Sequence, residues 1–328
     1  MKFVSLGRTG AQVSDLCLGT MTFGWKTDET EAFRVVDRFM EAGGNFIDTA
    51  NVYGRGKSEE ITGRALNRDG KRNRIFLATK AHGKMSDNDP NDWGNHRYNL
   101  IRACEASLKR LGTDHIDLYQ IHRPQASVPI DETLRALDDL VRSGKVRYIG
   151  TSTYAAWQVM ESLWVSKELG LNRFVSEQPP YHILDRRVER ELIPLSLAYG
   201  IGIIPWSPLA GGKLTGKYRQ GEPAPENSRE KPENFSEGTW KALNGLEALV
   251  KEKGVSMTAF ALAWLNAQPG VTSPIIGPNS VAQLEDNLAA SDVTVTDDDK
   301  KRVDDLVAPG THVEDYYRAD FGPNARWL

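Results

Sequence analysis

The chain has 328 residues, 40% hydrophobic and 26% charged, an ordinary globular composition long enough to bury a large core. A formal net charge of −3 and a pI near 6.1 give no long-range attraction to nucleic acid or to an anionic membrane surface. Two cysteines, Cys17 and Cys104, cannot build a disulfide framework, no apolar run reaches 18 residues, and the first residues lack an apolar leader. The expectation is one domain over residues 1–328, cytoplasmic, and a monomer by default.

In chain order, a small hairpin is predicted in "KFVSLGRTGAQVSDL", turning at Gly7 to Gly10. Short apolar runs then alternate with amphipathic stretches to about residue 290. The predicted strands are 16–19, 45–48, 75–80, 116–122, 146–152, 174–178, 202–207 and 273–277. Between the first two, "TDETEAFRVVDRFMEAGG" reads as a helix: Asp28 and Glu31 have capping-box spacing, Phe33, Val36 and Met40 share a face, and Gly43 and Gly44 end it. Most of these strands are apolar on consecutive positions, as parallel strands covered on both faces are. Eight βα units predict an α/β fold, a (β/α)8 TIM barrel with an N-terminal β-hairpin, whose reactive groups gather at the C-terminal ends of the strands. A doubly wound nucleotide fold would want G-x-G-x-x-G after its first strand, and "LGTMTFG" does not supply it. Three segments interrupt the rhythm: 81–99, 218–235 and the tail from Pro309. They read as long loops at the C-terminal face and an irregular terminus.

The predicted strand ends carry chemistry. Asp48 ends the second strand, Lys80 the third and His122 the fourth, while Tyr53 lies on the turn after the second. Each alone has an ordinary role: a turn cap, a solvated strand end, a core histidine, a packed aromatic. Chance seldom ends three successive strands in Asp, Lys and His with a Tyr beside them. A tyrosine with a pKa of about 10 exchanges protons poorly near neutrality, but a neighbouring ammonium favours the phenolate. Lys80 can supply that charge, and a buried lysine needs a carboxylate such as Asp48 to keep it. His122 can donate to a substrate oxygen on which negative charge develops. A proton donor and an oxygen clamp without a nucleophile fit carbonyl reduction by hydride.

These residues sit in motifs resembling the aldo-keto reductase superfamily over nearly the whole chain: "LGRTGAQVSDLCLGTMTFG", "NFIDTANVYG", "LATK", "IDLYQIHRP", "GKVRYIGTS", "SEQPPYH", "PWSPLAGGKLTGKY" and "IIGPNSVAQLEDNLAA". The resemblance implies hydride transfer between NADP(H), or NAD(H), and an aldehyde, ketone or secondary alcohol, with Asp48, Tyr53, Lys80 and His122 as the catalytic tetrad and Tyr53 as general acid and base. It also implies that Ser152 and Gln178 hold the nicotinamide carboxamide and that Trp206 stacks on the ring. Leu209, Gly211 and Lys217 would line the pyrophosphate. Gln283 and Asn287 would meet the adenosine, with Thr20, Met21, Asp48, Thr153, Ser207, Gly277 and Asn279 completing the cofactor set. Thr153 stands where the family commonly has Asn or Arg, and Asn279 and Ser280 stand where related sequences often place a basic residue. The neutral pair weakens selectivity for NADP, which the family otherwise favours.

Trp25, Trp93 and His96 sit on loops after the first and third predicted strands, where they could wall a substrate pocket, and "EDYYRADFGPNARWL" adds aromatics. Gly211, Gly216 and Lys217 imitate a P-loop, but Tyr218 replaces the Ser or Thr that would hold Mg²⁺. Two other readings are a weakly catalytic, cofactor-binding regulatory protein resembling the potassium-channel β subunits, and a metal-dependent barrel drawing on Asp48 and some of His82, His96, His122 and His182. No pair of these histidines has H-x-x-x-H or H-x-H spacing, so no metal is expected.

Overall fold

The computed structural model describes residues 1–226 and 228–314. The tail aromatics Tyr316, Tyr317, Phe321 and Trp327 lie outside the described residues. The chain opens with an antiparallel hairpin, β1 (Phe3–Ser5) and β2 (Gln12–Ser14), turned through the predicted glycines. Eight parallel strands follow: β3 (Cys17–Gly19), β4 (Phe46–Asp48), β5 (Phe76–Ala81), β6 (Ile116–Ile121), β7 (Val146–Ser152), β8 (Ser176–Gln178), β9 (Gly202–Ile203) and β10 (Ile275–Ile276). Neighbours run in the order β10, β3, β4, β5, β6, β7, β8, β9. The two outermost strands then meet. Ile203 bridges Val271, Thr272 N donates to Ile203 O at 2.7 Å, and Ile275 N donates to Pro205 O at 2.8 Å. The result is a (β/α)8 barrel.

Helices α1 (Glu29–Glu41), α2 (Lys57–Leu66), α3 (Arg97–Leu111), α4 (Ile130–Arg142), α5 (Ala156–Leu169) and α6 (Leu192–Tyr199) follow β3 to β8 one by one. Helices α7 (Glu237–Lys253) and α8 (Met257–Asn266) follow β9, and α9 (Val281–Leu288) and α10 (Asp297–Leu306) follow β10. In α1 only half of the expected capping box forms. Asp28 accepts from Glu31 N at 2.9 Å, but the Glu31 carboxylate turns away to accept from Val281 N at 2.8 Å, tying α1 to the start of α9. The buried stripe is Ala32, Val35, Val36, Phe39 and Met40; Phe33 sits at its edge, half-buried beneath the Arg68 guanidinium.

Alternation along the strands sorts the core. Phe46, Ala78, Leu118 and Val175 point into the lower barrel and pack with Leu6 and Val13 of the hairpin segment, which closes that end. Ile47, Leu77, Tyr119 and Ile149 point outward to the helices. Higher up, the inward positions turn polar: Asp48, Lys80, Gln120, Ser152 and Gln178 are all buried there. The seventh predicted strand stops early. Pro205 has no N–H for a ladder, so β9 ends at Ile203 and the chain bends over the barrel toward Trp206.

One buried ion pair fastens the helix layer to the barrel. Glu59 of α2 is fully buried; its carboxylate accepts from Thr79 Oγ1 of β5 and from Arg110 Nε of α3, each at 2.6 Å. Removing one partner of such a pair strands the other charge. Arg110→Ala is expected to lower unfolding free energy by about 3–5 kcal/mol in urea titrations, and adding Glu59→Gln is expected to restore part of it.

Candidate active site

At the upper mouth, Lys80 and Asp48 form an ion pair with neither side chain reaching solvent. Lys80 Nζ donates to Asp48 Oδ1 and to Thr49 O, the latter at 2.8 Å. The other carboxylate oxygen, Asp48 Oδ2, accepts from Gln120 Nε2 at 3.0 Å and Gln178 Nε2 at 3.1 Å. Burial pushes the Lys80 ammonium down, but Asp48 and then Tyr53 pull harder the other way, so its pKa ends above the ordinary lysine value. Lys80 therefore stays charged at neutral pH.

Tyr53 opens a short 3-10 turn, Tyr53–Gly56, directly after β4, which hangs its ring over the ammonium with Nζ 5.2 Å from the centroid. His122 follows β6 and meets the Tyr53 ring edge-on, centroids 5.7 Å apart. Burial, then the positive charges of Lys80 and Arg123, press the His122 imidazole well below its usual pKa. It is a neutral ring, able to donate one hydrogen bond. The four sequence-predicted residues thus occupy one spot: a cation fixed by a carboxylate beneath, a phenol above it, and a neutral imidazole alongside.

A cavity of about 660 Å³ opens over this spot, within the range of small-molecule and cofactor sites. Tyr53, His122, Ser152, Gln178 and Trp206 line its floor and walls; Lys80 lies beneath, screened by Asp48. Met21, Ser207, Leu209, Gly211, Lys217, Gly277, Asn279, Gln283 and Asn287 also face it. Gly211 and Gly212 have φ of +68° and +103°, which lets the backbone turn tightly along one wall beside Lys217. A Cβ built on Gly277 meets nothing within 4 Å, so the cavity there is open where a side chain would otherwise intrude. The buried Asn279 Oδ1 has no partner among the described residues, an unmet hydrogen-bonding demand at the cavity edge. Volume, glycine-lined wall, cation and orphan acceptor together fit a dinucleotide.

Other sequence-predicted residues lie elsewhere. Thr20 is off the cavity wall; its hydroxyl pairs with Ser58 at 2.9 Å. Thr153, at φ +63°, gives its Oγ1 to Arg123 as acceptor at 3.0 Å. His96 caps α3 by accepting from Asn99 N, because a β-region residue just before a helix is placed to satisfy its free amides. Trp25 is 66% exposed with Lys26 over its ring, and Trp93 abuts His82 edge-on; neither lines the cavity. Sequence reasoning passed over Arg123, Lys26 and Arg229, which do line it. Arg123 follows His122 and could have been found by adjacency; Arg229 arrives from the long 218–235 loop and carried no such signal. Among the described residues, no group of three or more His, Cys, Asp or Glu side chains is arranged to hold a metal ion, and no helix is long and apolar enough to cross a membrane.

The fold and this mouth are those of a barrel oxidoreductase, and sequence comparison bears directly on that. Residues 15–308 match the model of the aldo/keto reductase family. An uncharacterized oxidoreductase of Bacillus subtilis, YrpG, is 40% identical over 326 residues, covering 97% of this chain and 99% of that one. A probable voltage-gated potassium channel subunit beta of rice is 38% identical over 304 residues, covering 89% and 92%. Versiconal hemiacetal acetate reductase of Aspergillus parasiticus is 32% identical over 342 residues, covering 94% and 98%. The chain belongs to the aldo/keto reductase family, whose NAD(P)H-dependent oxidoreductase chemistry it shares.

Behind Gln178, its neighbour Glu177 faces away from the cavity and is wholly buried, one oxygen accepting from Tyr154 N at 3.0 Å and the other without a partner among the described residues. Burial, only partly offset by hydrogen bonds from Thr151 and the amides of Tyr154 and Thr153, pushes this carboxyl up to about 8. Between the unfolded value of 4.5 and about 8, the native state keeps a proton that the unfolded chain has lost. Stability therefore falls as pH rises through that window, by at most about 1.4 kcal/mol per pH unit, and levels off above it. Glu177→Gln is expected to remove that slope, so its unfolding free energy relative to the native protein should increase from pH 5.5 to 7.5 in urea titrations.

Proposed function

We propose that this protein reduces aldehydes and ketones using NADPH, with Tyr53 as the proton donor and, in the reverse direction, the base for a secondary alcohol. The observation that carries the reading is the cluster at the cavity floor: the buried Lys80–Asp48 pair, Tyr53 over the ammonium and neutral His122 at its edge. The nicotinamide would supply hydride to the carbonyl carbon. The fixed Lys80 charge sits where it stabilises the phenolate left when Tyr53 gives up its proton. His122, uncharged, orients the carbonyl oxygen without competing as an acid. Trp206 offers an aromatic face, and Ser152 and Gln178 offer polar atoms, for holding the nicotinamide.

A cofactor phosphate needs cations. Lys217, Lys26 and Arg229 line the same cavity as Asn279 and Gln283, and Thr27, beside Lys26, reaches Asn279 O at 3.4 Å. These charges support NADPH despite the neutral pair at 279–280, and Arg229 is the one placed by a loop that sequence pattern did not connect to the site. The cavity's Asp286 opposes them, which keeps NADH as a usable second cofactor. A regulatory role like that of a channel subunit is less favoured, because all four reactive residues are present and assembled.

Following absorbance of reduced cofactor with 4-nitrobenzaldehyde tests the reading. Tyr53→Phe is expected to lower kcat by about 10²–10⁴-fold while leaving the Kd for NADPH within about threefold; tight cofactor binding without turnover in the unmutated protein would favour the regulatory role. Arg229→Ala is expected to reduce the NADPH-over-NADH ratio of kcat/KM by roughly tenfold or more, since a charge-assisted hydrogen bond is worth about 1.5–3 kcal/mol.

A further inference from the structure

Arg123 stands two residues beyond β6, half-buried in the cavity wall beside His122, and the chemistry above gives it no task. We propose that Arg123 is a specificity-determining residue that takes a carboxylate of the substrate, so that the carbonyl compounds this protein prefers are aldehydes and ketones carrying a carboxylate group. The inference rests on the carbonyl-reduction reading above and deepens it by naming the substrate class.

Strand order separates Arg123 from the other cations of the cavity. In the closed ring β10 lies between β9 and β3, and β6 lies directly across from it. Lys26 follows β3, and Lys217 and Arg229 follow β9, so these three flank the β10 side, where Asn279, Gln283 and Asn287 also stand. There they suit the phosphates of the cofactor. Arg123 is on the opposite side, next in the chain to the imidazole that would hold the carbonyl oxygen, so its charge serves the reacting partner. The acids nearby are engaged or uncharged. Asp48 is held by Lys80, and Asp286 of α9 accepts from Ser256 Oγ at 2.6 Å. Burial lifts the Glu177 carboxyl behind the wall to about 8, so it adds no counter-charge at neutral pH.

The guanidinium is also held in place. Nη1 donates to His122 O at 2.7 Å and to Thr153 Oγ1 at 3.0 Å, and Cζ lies over the Trp206 ring, 5.8 Å from its centroid. At 153, where Asn or Arg is common in the family, this chain has a Thr that keeps φ at +63°, a costly conformation for a β-branched residue, and its hydroxyl meets the arginine arriving from the neighbouring strand. A planar fork fixed in this way matches the two oxygens of a carboxylate and discriminates against a neutral group of similar shape. Arg123 forms no covalent bond in the reaction: hydride still passes to the carbonyl carbon, and the Tyr53 proton to its oxygen.

The test is the ratio of kcat/KM for 3- or 4-carboxybenzaldehyde to that for the matching methyl ester, followed by NADPH absorbance at neutral pH and low salt. With the better isomer the unmutated protein is expected to favour the carboxylate by roughly tenfold or more, the effect of a charge-assisted hydrogen bond. In Arg123→Met that ratio is expected to fall by roughly tenfold or more, chiefly through KM. Arg123→Lys, which keeps the charge and loses the fork, should fall in between. Thr153→Val, isosteric but unable to accept from Nη1, should lower the ratio by about threefold. These two variants keep the comparison readable where Arg123→Met does not fold. An arginine that merely packs the wall, or that serves the cofactor, would leave the ratio unchanged in its variants whatever happened to NADPH binding, and that result overturns the proposal. So does an unmutated protein that turns over the esters with no preference for the carboxylates. If neither these aldehydes nor 4-nitrobenzaldehyde are turned over, the carbonyl-reduction reading itself falls and this inference with it.

Discussion

The buried pairing of Lys80 with Asp48 is the constraint around which this molecule is arranged. A lysine wholly removed from water would surrender its proton unless a carboxylate were held against it, and a carboxylate so placed needs its remaining oxygen satisfied. The barrel meets both demands by converging strands. β4 brings the acid, β5 the amine, and β6 and β8 the two amides that complete the carboxylate's hydrogen bonds. The closed ring of strands aims side chains from three other strands at one carboxyl group without loops in between.

The polar layer is expensive to bury, and the rest of the interior is organised to tolerate it. Below it, inward positions are apolar and the hairpin shuts out water; outside it, the sheet is clad by helices. Satisfied polar networks in such surroundings are rigid, because each group that turned away would leave a partner unpaired. The proton transfer proposed for Tyr53 would gain from such rigidity, since it depends on groups being held in one geometry.

Much of this was legible in the sequence because period and spacing encode it. The βα rhythm pointed to the barrel, and an inward face ending in Asp48, Lys80 and His122 pointed to the candidate site. Gln120 obeys the same alternation, two residues before His122, and could have been noticed by counting; it was passed over because attention to strand ends stops one pleat short. The substrate wall was less legible. His96 reads as a mouth residue until the β-region backbone before α3 makes it a cap, and Trp93 belongs to a loop whose course depends on contacts such as Asn95 with Gln125 rather than on local pattern. Arg229 comes from the far end of a loop rich in Pro and Glu, where nothing periodic links sequence to position. The short β9 was misjudged for a simpler reason: apolar character ran on past a proline that had already ended the ladder.

The hairpin beneath the barrel has a bearing on traffic as well as on packing. With Leu6 and Val13 stoppering the lower end, the described residues leave the cavity over the polar layer to be entered from the upper mouth. When two guests occupy it together, the deeper one must have arrived earlier and is the last to leave.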